Sequence, residues 1–253
     1  RLVQIKLTFT MSAFTKCFRP VSKYPSDFAD LKVWLKADSV GERSFDITSK
    51  EISQVQDLSG NSRFVAQDTT ANKPLLYGYG GINDKAYISF DGITDYLESG
   101  NNLNITTDFT IFEVSKMTRA NDGIFGYLPS GGAYIKIGLN ASNHYTAQVS
   151  DGTNSLSANS AVSSANYHIG EVHKNNTALR LHYYDASNAV IVTDTEAGFN
   201  TSFTFNADKF TVGRVTPNYM RGEFNELIIF NRNLSTEESD EVRNYLNLKY
   251  KIY

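Results

Sequence analysis

The 253-residue chain reads as an all-β protein, an antiparallel two-sheet sandwich with one short helix near its C-terminus. Three observations predict this. Short segments of alternating apolar and polar residues recur along the chain, bounded by Gly, Asn, Asp or Ser. Fifteen Tyr and sixteen Phe are present, residue types that favour half-buried pleated surfaces. Long amphipathic helices between strands, which an α/β fold requires, are absent.

The first alternating segment is N-terminal. Val3, Ile5, Leu7 and Phe9 alternate with Gln4, Lys6 and Thr8, giving a strand with one apolar face. A polar, Pro-punctuated stretch from Phe18 to Pro25 follows it. Residues 1–25 are therefore read as an arm and residues 26–253 as one sandwich domain, a size that sandwiches often reach undivided. Four apolar side chains in a row need a surface to cover them. The expectation is that residues 1–17 pack on a neighbouring subunit as an assembly arm. The alternative is an extra edge strand of the same domain.

Further strand candidates follow in order. Val33, Leu35 and Ala37 share a face, and Ala86, Ile88 and Phe90 alternate. Phe109 to Val114 is apolar on both faces, as a central strand can be. Ala133, Ile135, Ile137 and Leu139 alternate with Tyr134, Lys136 and Gly138, and Tyr145, Ala147 and Val149 with His144, Thr146 and Gln148. Leu179, Leu181 and Tyr183 lead through a polar turn, Asp185 to Asn188, to Val190 and Val192. Phe210, Val212 and the run Phe224 to Phe230 close the series. Ser235 and Glu238 form a capping box, with Glu237, Asp240 and Glu241 near the start and Lys249 near the end. That predicts a helix over residues 235–247 with Val242, Tyr245 and Leu246 on its apolar stripe.

Four segments, in order, resemble the laminin-G-like, concanavalin A-like jelly-roll domains of bacterial surface proteins and phage structural proteins. They are Leu31 to Asp38, the Asp57-Leu58-Ser59-Gly60-Asn61 turn, Ile88 to Leu97 followed by Phe109 to Phe112, and Gly222 to Phe230 running into the capped helix. The resemblance spans roughly residues 31–250 and implies the fold, not the ligand. Gly60 and Gly92 are read as tight-turn residues, Asp57 and Asp91 as caps of those turns, and Trp34 as core. Some relatives bind calcium at loop tips. Calcium needs six to eight oxygen ligands, and no dense Asp-rich loop favours it, so no cofactor is expected.

Composition removes several function classes. The net charge is −3 and the pI about 5.8, without the basic stripe of a nucleic-acid binder. No apolar run approaches a membrane span. Cys17 is the one cysteine, so neither an internal disulfide nor a thiolate metal cluster can form. Lys6, Lys16 and Arg19 interrupt any signal-peptide core in residues 1–20.

Catalysis is not expected. Glycosidases need two carboxylates flanking the scissile bond, and on one strand that requires even spacing. Glu223 and Glu226 are three apart and should face opposite ways. Asp194 and Glu196 lie in a polar hairpin arm. His144, His168, His173 and His182 show no zinc-hydrolase spacing, and Ser130-Gly131-Gly132 is a turn rather than a phosphate cradle. No metal ligands are assigned. The chain is expected to be a binding or adhesion module outside the cell or on a virion, recognising a glycan or a protein surface. Aromatic faces beside planar amides suit sugars, which selects Tyr127, Tyr134, His144 and Tyr145, with Asn140 and Asn143 beside them. The alternative is a structural virion protein, such as a capsid decoration or tail-associated protein, contacting neighbouring subunits or further copies of itself. Neither nucleic acid nor membrane insertion is expected.

Overall fold

The computed structural model describes residues 23–41, 44–105, 108–127, 132–163, 165–200 and 209–253. Val3, Ile5, Leu7, Phe9 and Cys17 of the arm lie outside the described residues, as do Ser130 and Gly131. Eighteen strands and one α-helix are built from the described residues. The strands are β1 Leu31–Lys36, β2 Gln54–Gln56, β3 Phe64–Ala66, β4 Leu75–Tyr77, β5 Tyr87–Asp91 and β6 Leu97–Ser99. Then come β7 Phe109–Met117, β8 Gly123–Tyr127, β9 Ala133–Leu139, β10 His144–Asp151, β11 Ser155–Ser163 and β12 His168–Asn175. The last six are β13 Ala178–Tyr184, β14 Ala189–Thr195, β15 Phe210–Val212, β16 Arg214–Val215, β17 Asn218–Tyr219 and β18 Arg221–Phe230, followed by helix α1, Thr236–Tyr250.

Among the described residues these strands form two eight-stranded antiparallel sheets and a small β16–β17 hairpin. The first sheet runs β14-β13-β12-β7-β18-β5-β4, with β1 also pairing with β18. The second runs β11-β10-β9-β8-β15-β6-β3-β2. The alternation read from the sequence sets which side chains meet between the sheets. Ile111, Val172 and Leu181 from the first sheet join Phe125, Ile135 and Val149 from the second in one core.

A second core lies on the other side of the first sheet. Trp34, Phe112, Val114, Ile228 and Phe230 pack there with Val242, Tyr245, Leu246 and Tyr250 of α1. This is why β7 is apolar on both faces: it is covered by a sheet on one side and a helix on the other. Trp34 is core, as expected, but in this second layer. The helix starts where the capping box places it. The Ser235 hydroxyl accepts from the Glu238 amide at 3.2 Å, and Glu238 accepts from the Ser235 amide at 3.0 Å. It runs three residues past 247, to Tyr250. Tyr250 is buried, and the chain turns only at Lys251, in the left-handed region at φ 52°.

The turn assignments also hold. Asp57 Oδ1 accepts from the amides of Trp34 and Ser59 at 2.8 and 2.9 Å. Asp91 Oδ1 accepts from the amides of Ile93, Thr94 and Asp95. Gly60 and Gly92 take φ of 84° and 77°, where a side chain would be strained.

One parity expectation fails. Strand β18 carries a bulge between Phe224 and Glu226, leaving Asn225 without a partner on β7. One extra residue shifts the alternation. Phe224 then points into the inter-sheet core with Leu227 and Ile229, while Glu226 joins Ile228 and Phe230 on the helix side. Glu223 pairs in register with Lys116, which shares a face with Val114 and Phe112. Glu223 and Glu226 therefore lie on the same face, not on opposite ones.

Candidate functional site

The four aromatic positions selected for sugar stacking separate by strand parity. Tyr127 and Tyr145 are both 0% exposed and belong to the inter-sheet core, so neither can stack on a ligand. Strand β8 sits inside the second sheet, between β9 and β15, and Tyr127 points inward from it. Tyr145 shares the inward parity of Ala147 and Val149. It packs against His168 and Tyr183, with ring centroids at 4.8 and 5.7 Å. Burial first, and then the nearby Glu113 carboxylate, push its hydroxyl well above the ordinary phenol range. Buried His168 Nε2 stands 2.8 Å from Glu113 Oε1 in the same interior cluster.

Tyr134 and His144 take the opposite parity and lie on the outer face of the second sheet, each partly exposed. The register of β9 with β10 sets Tyr134 opposite Ser150, Lys136 opposite Gln148 and Gly138 opposite Thr146. Asn140 continues the row, and its Oδ1 accepts from the His144 amide at 3.0 Å. These cross-strand pairs make a polar strip. From His144 to Ser150 it runs along β10 for about 20 Å, at about 3.3 Å per residue step. The Lys136 ammonium sits 4.2 Å from the Tyr134 ring centroid.

A groove of about 230 Å³ opens along this strip, lined by Lys136, Gln148, Thr146, Asn140, Asn121 and Asn218. Its volume falls below the roughly 300 Å³ at which drug-sized pockets begin. The β16–β17 hairpin forms one wall. It can lie flat on β8 because Gly123 has no side chain; a Cβ there would stand 2.5 Å from Val215. The turn at Asp122 closes one end over Gly138, where a Cβ would come 2.1 Å from the Asp122 carbonyl oxygen. Asp122 is held by Arg119, whose Nε donates to Oδ1 at 3.1 Å. Burial nonetheless raises its carboxyl above the ordinary range, outweighing the lowering influence of its hydrogen bonds and of Arg119.

The outer-face carboxylates of β18 are already engaged. Glu226 accepts from Trp34 Nε1 at 2.6 Å, Tyr245 Oη at 2.9 Å, and Lys249 Nζ and Tyr250 Oη at 2.8 Å each. Glu223 accepts from Tyr167 Oη and lies 3.6 Å from Lys116 Nζ. Burial, followed by the Glu226 charge, keeps the Tyr245 and Tyr250 phenols protonated as donors.

Among the described residues one set could hold a metal ion: Glu171, His173 and His182. Sequence reading missed it because it searched for ligands on a helix. The signal was an even spacing, Glu171 and His173 on one strand, plus a histidine on the next strand of the same hairpin. Burial alone would raise the Glu171 carboxyl. Hydrogen bonds from both imidazoles outweigh it and hold the group well below the ordinary range.

No family model and no curated protein matches the chain. Solved structures do. Domain 4 of AbnA, a GH43 extracellular arabinanase from Geobacillus stearothermophilus, solved with arabinotriose, is 12% identical with a TM-score of 0.56. The match covers 85% of this chain and 97% of that one. A GH54 α-L-arabinofuranosidase is 13% identical with a TM-score of 0.59, over 79% of this chain and 51% of that one. The Trypanosoma rangeli sialidase is 9% identical with a TM-score of 0.51, over 88% and 33%. The chain thus spans about half of the first of those two enzymes and a third of the second. The likeness shows the fold, a two-sheet antiparallel β-sandwich, as the sequence predicted. No helix among the described residues is long and apolar enough to cross a membrane.

Proposed function

We propose that the chain is a non-catalytic, extracellular glycan-binding module that uses the outer face of its second sheet. The observation that carries the reading is the polar strip on β9 and β10. Tyr134, Lys136, Gln148, Thr146, Asn140 and His144 stand on one face beside a walled groove. Rings, amides and an ammonium at regular spacing suit a short row of sugar hydroxyls. The groove takes one ring, and the strip can contact those on either side. Glu226 is sealed under α1 by four donors, so the Glu223 and Glu226 pair is not free to act as the two carboxylates of a glycosidase. The arabinanase domain of like fold was solved with arabinotriose, which makes arabino-oligosaccharides the first ligands to try.

The test is a glycan array followed by calorimetry on any hit. Tyr134→Ala should weaken binding by about 1–3 kcal/mol, by analogy with stacking of bases on aromatic rings, and Gln148→Ala by about 0.5–1.5 kcal/mol, the net worth of a hydrogen bond, both without loss of folding. Binding that survives both changes places the site elsewhere. A chain that binds no glycan and instead self-associates through residues 1–25 returns the assembly reading.

A further inference from the structure

The outer face of the first sheet carries a second polar recess, remote from the strip on β9 and β10. Glu171 and His173 project from β12 at positions i and i+2, which share a face. His182, on β13, is paired directly with Glu171. All three are buried, and their ligand-capable atoms lie within 4.8 Å of one another. A recess of about 590 Å³ adjoins them, lined also by Asn175, Arg180 and Tyr184.

We propose that Glu171, His173 and His182 bind a divalent transition-metal ion, zinc in the first instance. The donor set is two imidazole nitrogens and one carboxylate oxygen. That combination suits zinc and its late first-row neighbours, whereas calcium and magnesium call for oxygen alone. Three protein ligands beside an open recess leave the remaining positions for water or a ligand.

The surroundings hold the three side chains as ligands need to be held. Asn233 Oδ1 lies 3.0 Å from His173 Nδ1, and Thr110 Oγ1 lies 3.3 Å from it. Nε2 now hydrogen-bonds to Glu171 Oε1, its neighbour on the strand; with an ion present, the ring's proton would sit on Nδ1 facing Asn233 and free the Nε2 lone pair for the metal. Arg243 Nη1 donates to the other Glu171 oxygen at 2.7 Å, fixing the carboxylate plane. His182 Nδ1 lies 3.5 Å from Glu171 Oε2, while its Nε2 is buried with no hydrogen-bond partner among the described residues. A buried ring nitrogen without a partner is uncommon, and a metal ion would satisfy it. The charges also permit a cation. Arg243 is paired with Asp240 as well as Glu171. Counting Arg180 and Glu237, which also line the recess, three carboxylates (Glu171, Asp240, Glu237) and two guanidiniums (Arg180, Arg243) leave a net −1.

The experiment is calorimetric titration of zinc chloride into the tag-free, chelator-stripped full chain, with thermal melts alongside. One ion per chain and a raised Tm are expected. His173→Gln and His182→Gln should each lower affinity at least tenfold, the scale at which outer-sphere partners already act. Circular dichroism and an unchanged apo melt report that each variant folds. Calcium or magnesium in the same titration should give no comparable heat. No zinc binding by the folded chain overturns the proposal. So does zinc binding of equal strength in a folded double variant, His173→Gln with His182→Gln. Zinc is the only ligand in this titration, so a failure of glycan binding leaves the result interpretable, and the reverse holds too.

Discussion

Tyr145 and Tyr134 show what a single position decides. They stand on adjacent strands, both aromatic and both in the segment chosen for sugar stacking, yet one is wholly buried and the other reaches the surface. The difference was legible. Tyr145 alternates in phase with Ala147 and Val149, and Tyr134 in phase with Lys136; clustering in sequence obscured that parity. Tyr145→Ala should therefore cost about 3–5 kcal/mol of stability, as large aromatic truncations in cores do. Tyr134→Ala should cost about 0.5 kcal/mol or less. Urea denaturation measures both, and equal costs would contradict the assigned faces. Asp95 supplies a pH-dependent case. Burial first, and then the Asp91 charge, raise its carboxyl from 3.8 to about 6. The folded state holds this proton more tightly than the unfolded one. The resulting destabilisation is absent below about pH 3.8, grows as pH rises, and is complete above about 6. Two units correspond to about 2–3 kcal/mol. Asp95→Asn keeps an acceptor for the Asp91 amide, now bonded at 3.1 Å. The variant should gain over the wild type between pH 4 and 6 in stability measured across pH. A difference that is flat with pH would refute the assignment.

At the scale of elements, local signals read well and interrupted ones did not. The helix was legible because Ser235 and Glu238 satisfy each other's amides within one turn. Strand β7 was legible because both of its faces are apolar. The bulge in β18 was not, because Glu223 to Ile229 contains no glycine or proline to mark it; the extra residue is Asn225, whose Nδ2 donates to the Ala86 carbonyl oxygen at 2.8 Å. The bulge matters because it delivers Glu226 to the helix. Replacing Glu226 with Leu strands the Trp34 indole and two phenols in a buried layer and leaves Lys249 only Asp38 as partner, so a loss of about 3–5 kcal/mol is expected. Glu226→Gln, which keeps one acceptor oxygen, should lose less. A calorimetric Tm for each decides it, and two indistinguishable variants would show that the four donors contribute little through the charge.

At the scale of the molecule, the two-layer class was legible but strand order was not, because pairing partners are scattered along the chain. The metal-capable triad was hidden for a related reason: two of its members share a strand and the third belongs to the next. The helix covers one face of the first sheet, where Trp34, Phe112 and Ile228 would otherwise meet water. Ending the chain after Leu234 should expose that face and yield protein that binds hydrophobic dyes and aggregates. A truncated chain that stays monomeric with an unchanged melt would show the second layer to be dispensable.

Strand β18 pairs with β7 on one side and with β5 and β1 on the other. It is the last of the described strands in chain order, and it occupies the middle of the first sheet. During synthesis β5 and β7 emerge more than a hundred residues ahead of the strand that joins them, with open edges facing each other across a gap. Until residue 230 has left the exit tunnel, the sheet exists as two separate pieces, and each offers its unpaired edge to any other nascent chain nearby. The first sheet therefore closes late, only once β18 has followed β5 and β7 out of the tunnel. The chain's yield in any host will depend on how well those two edges are shielded in the interval.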